Sequence, residues 1–262
     1  MKKLIALMMA LLMVGALLCA CGGSDASADS DLAYVTANGK LVVGITDFEP
    51  MDYQDADGNW IGFDADMAAA FAKSLGVDVE FVEIDWDNKI LELDGKTVDC
   101  IWNGMTLTDE VKSAMETSVA YCNNAQVVIV NKDAADKYAT ADACKELSFA
   151  VESGSAGQEQ ADAYGFTYTT VKDQATALME VASGTSDAAI IDSLMAAAMV
   201  GEGTGYEQLT YTASLNSEEY GVGFRKGSDI TAKFNEFFAA AVADGTAEAI
   251  AEKYGVQAAL IK

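Results

Sequence analysis

Histidine is absent from the 262 residues. With it go the imidazole base of Ser-His-Asp and Cys-His nucleophile systems and the commonest nitrogen ligand of zinc. Positive charge is scarce, since 16 Lys and Arg stand against 41 Asp and Glu, for a net charge of −25. Such a balance repels phosphate backbones and offers no basic stripe, so no nucleic acid partner is expected. Arginine occurs once, as Arg225. Five cysteines are an odd number, no CxxC pair occurs, and Cys100, Cys122 and Cys144 are spaced by 22 residues, which fits no zinc template. Neither a metal nor a cofactor is expected. Two of those three thiols could pair in an exported chain, but Cys100 lies in the apolar run Val-Asp-Cys-Ile-Trp as a small buried side chain, and the reading favours free thiols.

What is present is enough apolar material to fold. At 51% hydrophobic and 22% charged residues, the chain supports one large domain or two of about 100 residues, and disorder is excluded as its main state. Part of the apolar count sits at the N-terminus, where Met1-Lys2-Lys3 precedes a run from Leu4 to Leu18 that is short for a transmembrane helix and reads as a signal peptide. Its end, Leu18-Cys19-Ala20-Cys21-Gly22-Gly23, resembles the lipobox of bacterial lipoproteins, in which a small residue precedes the cysteine that is lipidated. Cys21 fits that place and Cys19, after bulky Leu18, does not. An ordinary export signal cut nearby is the alternative. Residues 1–20 are then the signal peptide and residues 21–33, rich in Gly, Ser, Asp and Ala, a flexible tether. Removing Lys2 and Lys3 leaves 14 basic residues against 41 acidic, a charge of −27. A diacylated Cys21 supplies the two chains that stable anchoring needs.

From Lys40 onward the hydrophobic period alternates between strand and helix. Leu41–Ile45 is a continuous buried-strand run, and Met67, Phe71 and Leu75 recur on one helix face. Val77 to Phe81 alternates as a strand, Trp86 to Leu93 reads as a short helix, Val98 to Trp102 as a strand, and Thr108 caps a helix running to Met115. Ala125 to Val130 is strand-like. The rhythm resumes with Leu147–Val151, a helix opened by the capping box Ser155-Ala156-Gly157-Gln158, strands at Phe166–Val171 and Ala188–Ile191, and between them a helix with Leu178 inward. Helices carrying Phe234, Phe238 and Ile250 close the chain. The alternation predicts an α/β protein with two lobes.

Four segments in order then resemble one family. Gly58-Asn59-Trp60-Ile61-Gly62-Phe63-Asp64-Ala65-Asp66-Met67, Val98–Thr108, Val181–Asp192, and Gly221–Gly227 followed by Asp244-Gly245-Thr246 are similar to the signature segments of the extracellular solute-binding proteins of family 3, the polar amino-acid receptors of ABC importers. The resemblance covers roughly residues 35–256. It implies a two-lobed periplasmic-binding-protein type II fold, each lobe a mixed sheet flanked by helices. Lobe 1 would comprise 34–126 and 222–262, lobe 2 would comprise 127–221, and the crossings would lie near Ala125–Val127 and Tyr220–Phe224. The implied protein is a monomer that is exported and lipid-anchored on the outer face of the cytoplasmic membrane. It captures an amino acid or related amine-bearing solute between the lobes and delivers it to a permease, without catalysis.

The resemblance also implies ligand positions. Phe48 and Trp86 match residues that hold the ligand's side chain, with plain core packing as the alternative. Asn103, Gly104 and Thr106 lie in the segment that receives the α-ammonium, and Asp192 matches its ionic partner, with a helix N-cap before Ser193 as the alternative. Val111 stands where the family carries a carboxylate-binding Arg. Substitutes are the N–H groups at Thr106 and, behind Ser155, at Ala156, or else Lys112. Arg225 reads as a surface or hinge residue. Glu49 and Glu152 point toward a cationic ligand if they face the cleft and are otherwise solvated rim charges. Two other classes fit the same fold: a cleft enzyme of prephenate or arogenate dehydratase type, using Glu49, Glu152 or Asp192 as acid or base, and a ligand-sensing module acting through a partner.

Overall fold

The computed structural model describes residues 30–262. The signal peptide, Cys21 and the tether up to residue 29 lie outside the described residues. The tether expected to reach Ala33 stops earlier, because helix α1 (Asp31–Asn38) begins at once: the Ser30 hydroxyl accepts from the Ala33 N–H and caps it.

The elements follow in chain order. Strand β1 (Lys40–Ile45) leads through a small ribbon, β2 (Tyr53–Gln54) and β3 (Trp60–Ile61), to α2 (Phe63–Leu75), β4 (Asp78–Glu83), α3 (Lys89–Asp94), β5 (Cys100–Ile101), α4 (Asp109–Ala114) and β6 (Glu116–Thr117). After β7 (Cys122–Asn124) come β8 (Gln126–Asn131), β9 (Ser148–Glu152), α5 (Ala156–Tyr164), β10 (Thr167–Val171), α6 (Gln174–Ser183), β11 (Ala188–Asp192), α7 (Ser193–Met199) and β12 (Leu209–Ser214). The chain returns through β13 (Glu218–Tyr220) and β14 (Gly223–Phe224) and ends in α8 (Ile230–Ala243) and α9 (Thr246–Lys253).

These elements make two five-stranded mixed sheets, ordered β4-β1-β5-β14-β6 and β10-β9-β11-β8-β12. Strand β1 runs parallel to β4 and β5 while β14 is antiparallel to β5 and β6; β9 runs parallel to β10 and β11 while β8 is antiparallel to β11 and β12. The fold is thus two-lobed α/β. The lobes are joined by a ribbon in which β7 pairs with β13, Cys122 opposite Tyr220 and Asn124 opposite Glu218. The second crossing lies earlier than Tyr220–Phe224: Gly223 and Phe224 already belong to the first sheet, paired with Ile101 and Cys100. Strand β5 is also shorter than the apolar run Val98–Trp102, although the N–H groups of Asp99 and Trp102 continue its bonding to Val42 O and Gly44 O at 2.7 and 3.3 Å.

The C-terminal helices pack onto the first lobe, where Phe71, Trp102, Tyr121, Phe224, Phe234 and Phe238 form a continuous aromatic core. Gly62 shows why that lobe needs glycine in its signature segment: at φ +130° a Cβ there would lie 2.1 Å from the Met51 carbonyl oxygen. Cys100, Cys122 and Cys144 are free and buried.

Arg225 corrects the sequence reading. It is 7% exposed and belongs to neither the surface nor the hinge. Its Nε donates to both Asp31 oxygens at 2.9 and 3.0 Å, Nη1 to Val98 O at 2.7 Å, and Nη2 to Asp99 Oδ1 at 3.1 Å. One guanidinium therefore ties α1, the start of β5 and the end of β14 together.

Candidate functional site

The parallel strands of both sheets end at the same cleft, the usual location for ligands in open α/β sheets. Thr46 and Phe48 follow β1, Trp86 and Lys89 follow β4, and Asn103 to Thr106 follow β5. Opposite them stand Glu152 at the end of β9, Ser155 and Ala156 at the start of α5, and Asp192 at the end of β11. All nine residues expected to bind ligand (Phe48, Trp86, Asn103, Gly104, Thr106, Glu152, Ser155, Ala156 and Asp192) line one cavity between the lobes. Glu49 and Lys112 do not. Glu49 faces a separate groove with Asp47 and Tyr53, and Lys112 lines an outer chamber beyond the cavity.

The apolar floor is built around Gly104. At φ +54° it lets the backbone pass under Phe48, whose Cε1 would sit 2.4 Å from any Cβ there. Phe48 meets Tyr220 edge-on, with ring centroids 6.3 Å apart. Phe48 and Trp86 belong to core clusters and also line the cavity, so the two alternatives for them coincide. Asn103 is a positioning residue: its Oδ1 accepts from the Thr46 N–H and hydroxyl at 3.0 and 2.7 Å, and its Nδ2 donates to Thr46 O and Asp52 Oδ2 at 3.0 and 2.8 Å. Every hydrogen-bonding direction of that amide is spent on the wall. The Thr106 hydroxyl donates to Glu218 Oε1 at 2.9 Å, which leaves its lone pairs to accept from an ammonium.

Asp192 is 4% exposed. Its Oδ1 accepts from Tyr220 Oη at 2.6 Å, from Gln126 Nε2 at 3.0 Å and from Asn124 Nδ2, and its Oδ2 from Gln174 Nε2. Its side chain makes no capping bond to α7, so the bland alternative fails. Burial, and then Glu218, push its carboxyl up to about 7 against the pull of those donors. Glu152 corrects the rim-charge alternative: it is 3% exposed and its Oε1 has no hydrogen-bond partner. Burial, then Asp192 and Asp173, push it up to about 8. Ser155 caps α5 by accepting from the Gln158 N–H at 3.1 Å, but Gln158 Oε1 turns back to the Gly154 N–H at 2.7 Å instead of completing the box.

Lys89 is the residue the sequence reading missed. Among the described residues it is the one cation lining the cavity, its Nζ lies 5.1 Å from the Trp86 ring centroid, and it donates across the cleft to Gly154 O at 2.8 Å. Burial lowers its pKa. The signal was available, since Lys89 follows Trp86 by three residues and shares its helix face. The lobes meet again where Gly154 passes Asp87, so closely that a Cβ on Gly154 would lie 2.8 Å from Asp87 Cα, and where Lys172 pairs with Glu83 at 3.0 Å. Gln174, Glu110 and Glu159 also line the cavity and were not anticipated.

Residues 41–257 match the model of the bacterial extracellular solute-binding proteins, family 3. The arginine-binding extracellular protein ArtP of Bacillus subtilis (strain 168) is 29% identical over 261 residues, covering 97% of this chain and 98% of the relative. The L-cystine-binding protein TcyJ of Escherichia coli (strain K12) is 31% identical over 224 residues, 84% of each chain. Among solved structures, the ancestral amino acid-binding protein AncCDT-1, a precursor of cyclohexadienyl dehydratase, is similar with a TM-score of 0.79 at 32% identity, covering 86% of this chain and 99% of that one. The matched span contains every cavity residue named above.

Proposed function

The chain belongs to the bacterial extracellular solute-binding proteins of family 3, and from that premise we propose that it captures an amino acid or related small amine-bearing solute between its lobes and delivers it to an ABC permease. The observation that carries the reading is the convergence of both lobes on one cavity that holds buried carboxylates, Asp192 and Glu152, facing an aromatic wall. Desolvated carboxylates at the end of an apolar slot suit an ammonium, and the faces of Phe48 and Trp86 suit either an aliphatic stem or a cation. In this reading Asp192 and the Thr106 hydroxyl take the ammonium, the Gly104 carbonyl accepts beside them, and the N–H of Ala156 at the start of α5 is open to any acceptor the ligand carries. Asn103 and Ser155 act by holding Thr46 and α5 in place.

Closure completes the site, because Thr106 and Asp192 stand on different lobes and a ligand touching both is fully bound only when the lobes meet. The same reading places the protein outside the cytoplasm as a monomer, anchored through a lipid on Cys21. Mass spectrometry of the membrane-extracted protein tests the anchor; an unmodified N-terminus elsewhere removes it. A second reading, catalysis of dehydratase type, draws on the raised Glu152 carboxyl as a general acid; turnover of prephenate or arogenate by the purified chain would establish it. The binding reading is tested by a thermal-shift screen against amino acids, amines and opines, in which a ligand at 100 times its Kd adds about 2.7 kcal/mol of stability. A flat response across the panel overturns it.

A further inference from the structure

The charge lining the cavity is one-sided. Among the described residues, Glu110, Glu152, Glu159 and Asp192 face a single ammonium, Lys89; two of its three N–H donors go to Gly154 O and Trp86 O at 2.8 and 3.3 Å, and its charge is shared among Glu110, Glu152, Asp87 and Glu159 around it. The other α4 residue that lines the cavity, Val111, is apolar and buried. The helix start that faces the cavity, α5, carries Glu159 in its own first turn, which offsets its dipole. A ligand carboxylate placed in this slot would therefore be desolvated among four carboxylates, with one lysine, whose charge they already share, to meet it.

Acidic groups also stand at both ends of the slot. At depth, Glu152 Oε1 is buried and unpartnered beside Asp192. At the rim, Glu110 from lobe 1 and Glu159 from lobe 2 face one another, and burial together with Glu110 raises the Glu159 carboxyl. An outer chamber continues the cavity past this rim through Thr106, Thr108 and Ala156, and it adds Asp109, Glu218 and Glu219 against Lys112 alone. Lys89 offsets part of the repulsion between Glu110 and Glu159, and a second positive charge between them would relieve the rest and favour closure.

We propose that the cleft is built for a linear dication without a carboxylate, an aliphatic diamine or a decarboxylated basic amino acid, with its inner ammonium at Asp192 and Glu152 and its outer cation between Glu110 and Glu159. This rests on the solute-binding reading above and narrows its ligand class. The apolar stem lies along Phe48 and Trp86, and the outer cation bridges the two lobes where their own charges repel.

Calorimetry on the purified full-length chain tests it with matched pairs, agmatine against arginine and cadaverine against lysine, which differ by the carboxylate alone. The expected result is at least tenfold tighter binding of the decarboxylated member of each pair. Equal or tighter binding of arginine or lysine overturns the proposal and leaves the solute-binding reading standing; no binding of any amine or amino acid overturns both. A second arm compares cadaverine with n-pentylamine in Glu110→Gln, a change on an exposed helix position that does not touch the core. Cadaverine is expected to lose about tenfold while n-pentylamine is unchanged; an equal effect on both, or none, overturns the two-ended arrangement.

Discussion

At the scale of single residues, the site turns on carboxylates held against their preference. Asp192 and Glu152 are raised to about 7 and about 8 by burial, with Glu218 acting on Asp192, and Asp192 and Asp173 on Glu152. Lys89 and the donors Tyr220, Gln174 and Gln126 oppose the rise. A cationic ligand binds the ionised forms, so its affinity is expected to climb as pH rises from 6 to 9, by up to tenfold per unit for each proton released, and then to level off. Calorimetry in buffers of different ionisation enthalpy reads that proton directly, and a flat affinity across this range would remove these carboxylates from the ligand. Asp192→Asn is expected to cost about 2–5 kcal/mol of binding, the range for truncating one partner of a buried charged pair. Arg225→Ala separates stability from function: it leaves Asp31 and Asp99 buried without their partner and is expected to lower unfolding stability by about 3–5 kcal/mol in urea titrations. Affinity should stay near wild type, because Arg225 does not line the cavity. The sequence named Asp192, Phe48 and Trp86 because they fall beside recognisable motifs. It misjudged Arg225 because burial of that charge is decided by partners 126 or more residues away, Asp99 and Asp31, that no local pattern displays, and it named Glu152 for the site while leaving open a solvated rim position that its burial removes.

Among the elements, strands and long helices were legible and connections were not. Leu41–Ile45 and Met67–Leu75 carry a periodicity that tertiary structure keeps. Strand β5 shrank and the hinge moved, since short segments owe their pairing to neighbours rather than to their own pattern. The cleft edges follow the same rule. No sequence pattern singles out Gly154, but in the fold it is the place where the loop before α5 touches Asp87 of the other lobe. Gly154→Ala is expected to hinder closure, both by its φ of +70° and by a Cβ 2.7 Å from Asp87 Oδ1. Small-angle scattering should show the variant failing to contract on saturation with a ligand that contracts the parent, while each lobe remains folded by circular dichroism. Full contraction with unchanged affinity would show that Asp87 yields.

Across the whole molecule, buried acids set the response to pH. Asp52 and Asp64 lie together under Gly104, and burial raises both, Asp64 to about 7; Glu152 and Asp192 behave alike. Each has a folded pKa above its unfolded value, so between about pH 4 and pH 8 the native state holds more protons than the unfolded one, and stability falls as pH rises through that window. The net charge of −25 acts in the same direction through self-repulsion. The melting temperature of the ligand-free protein is therefore expected to be higher at pH 5 than at pH 8, and a dicationic ligand should narrow the difference; a rise toward pH 8 would contradict it. The Arg225 clasp has a mechanical consequence of its own. Whatever precedes Ser30 is attached to one jaw, where Arg225 grips Asp31 and Asp229 accepts from the Ser30 hydroxyl and the Leu32 N–H at 2.6 and 2.9 Å. A pull applied ahead of Ser30 would be borne by the first lobe's framework without loading the β7–β13 ribbon, so it would leave the hinge between the jaws unstrained.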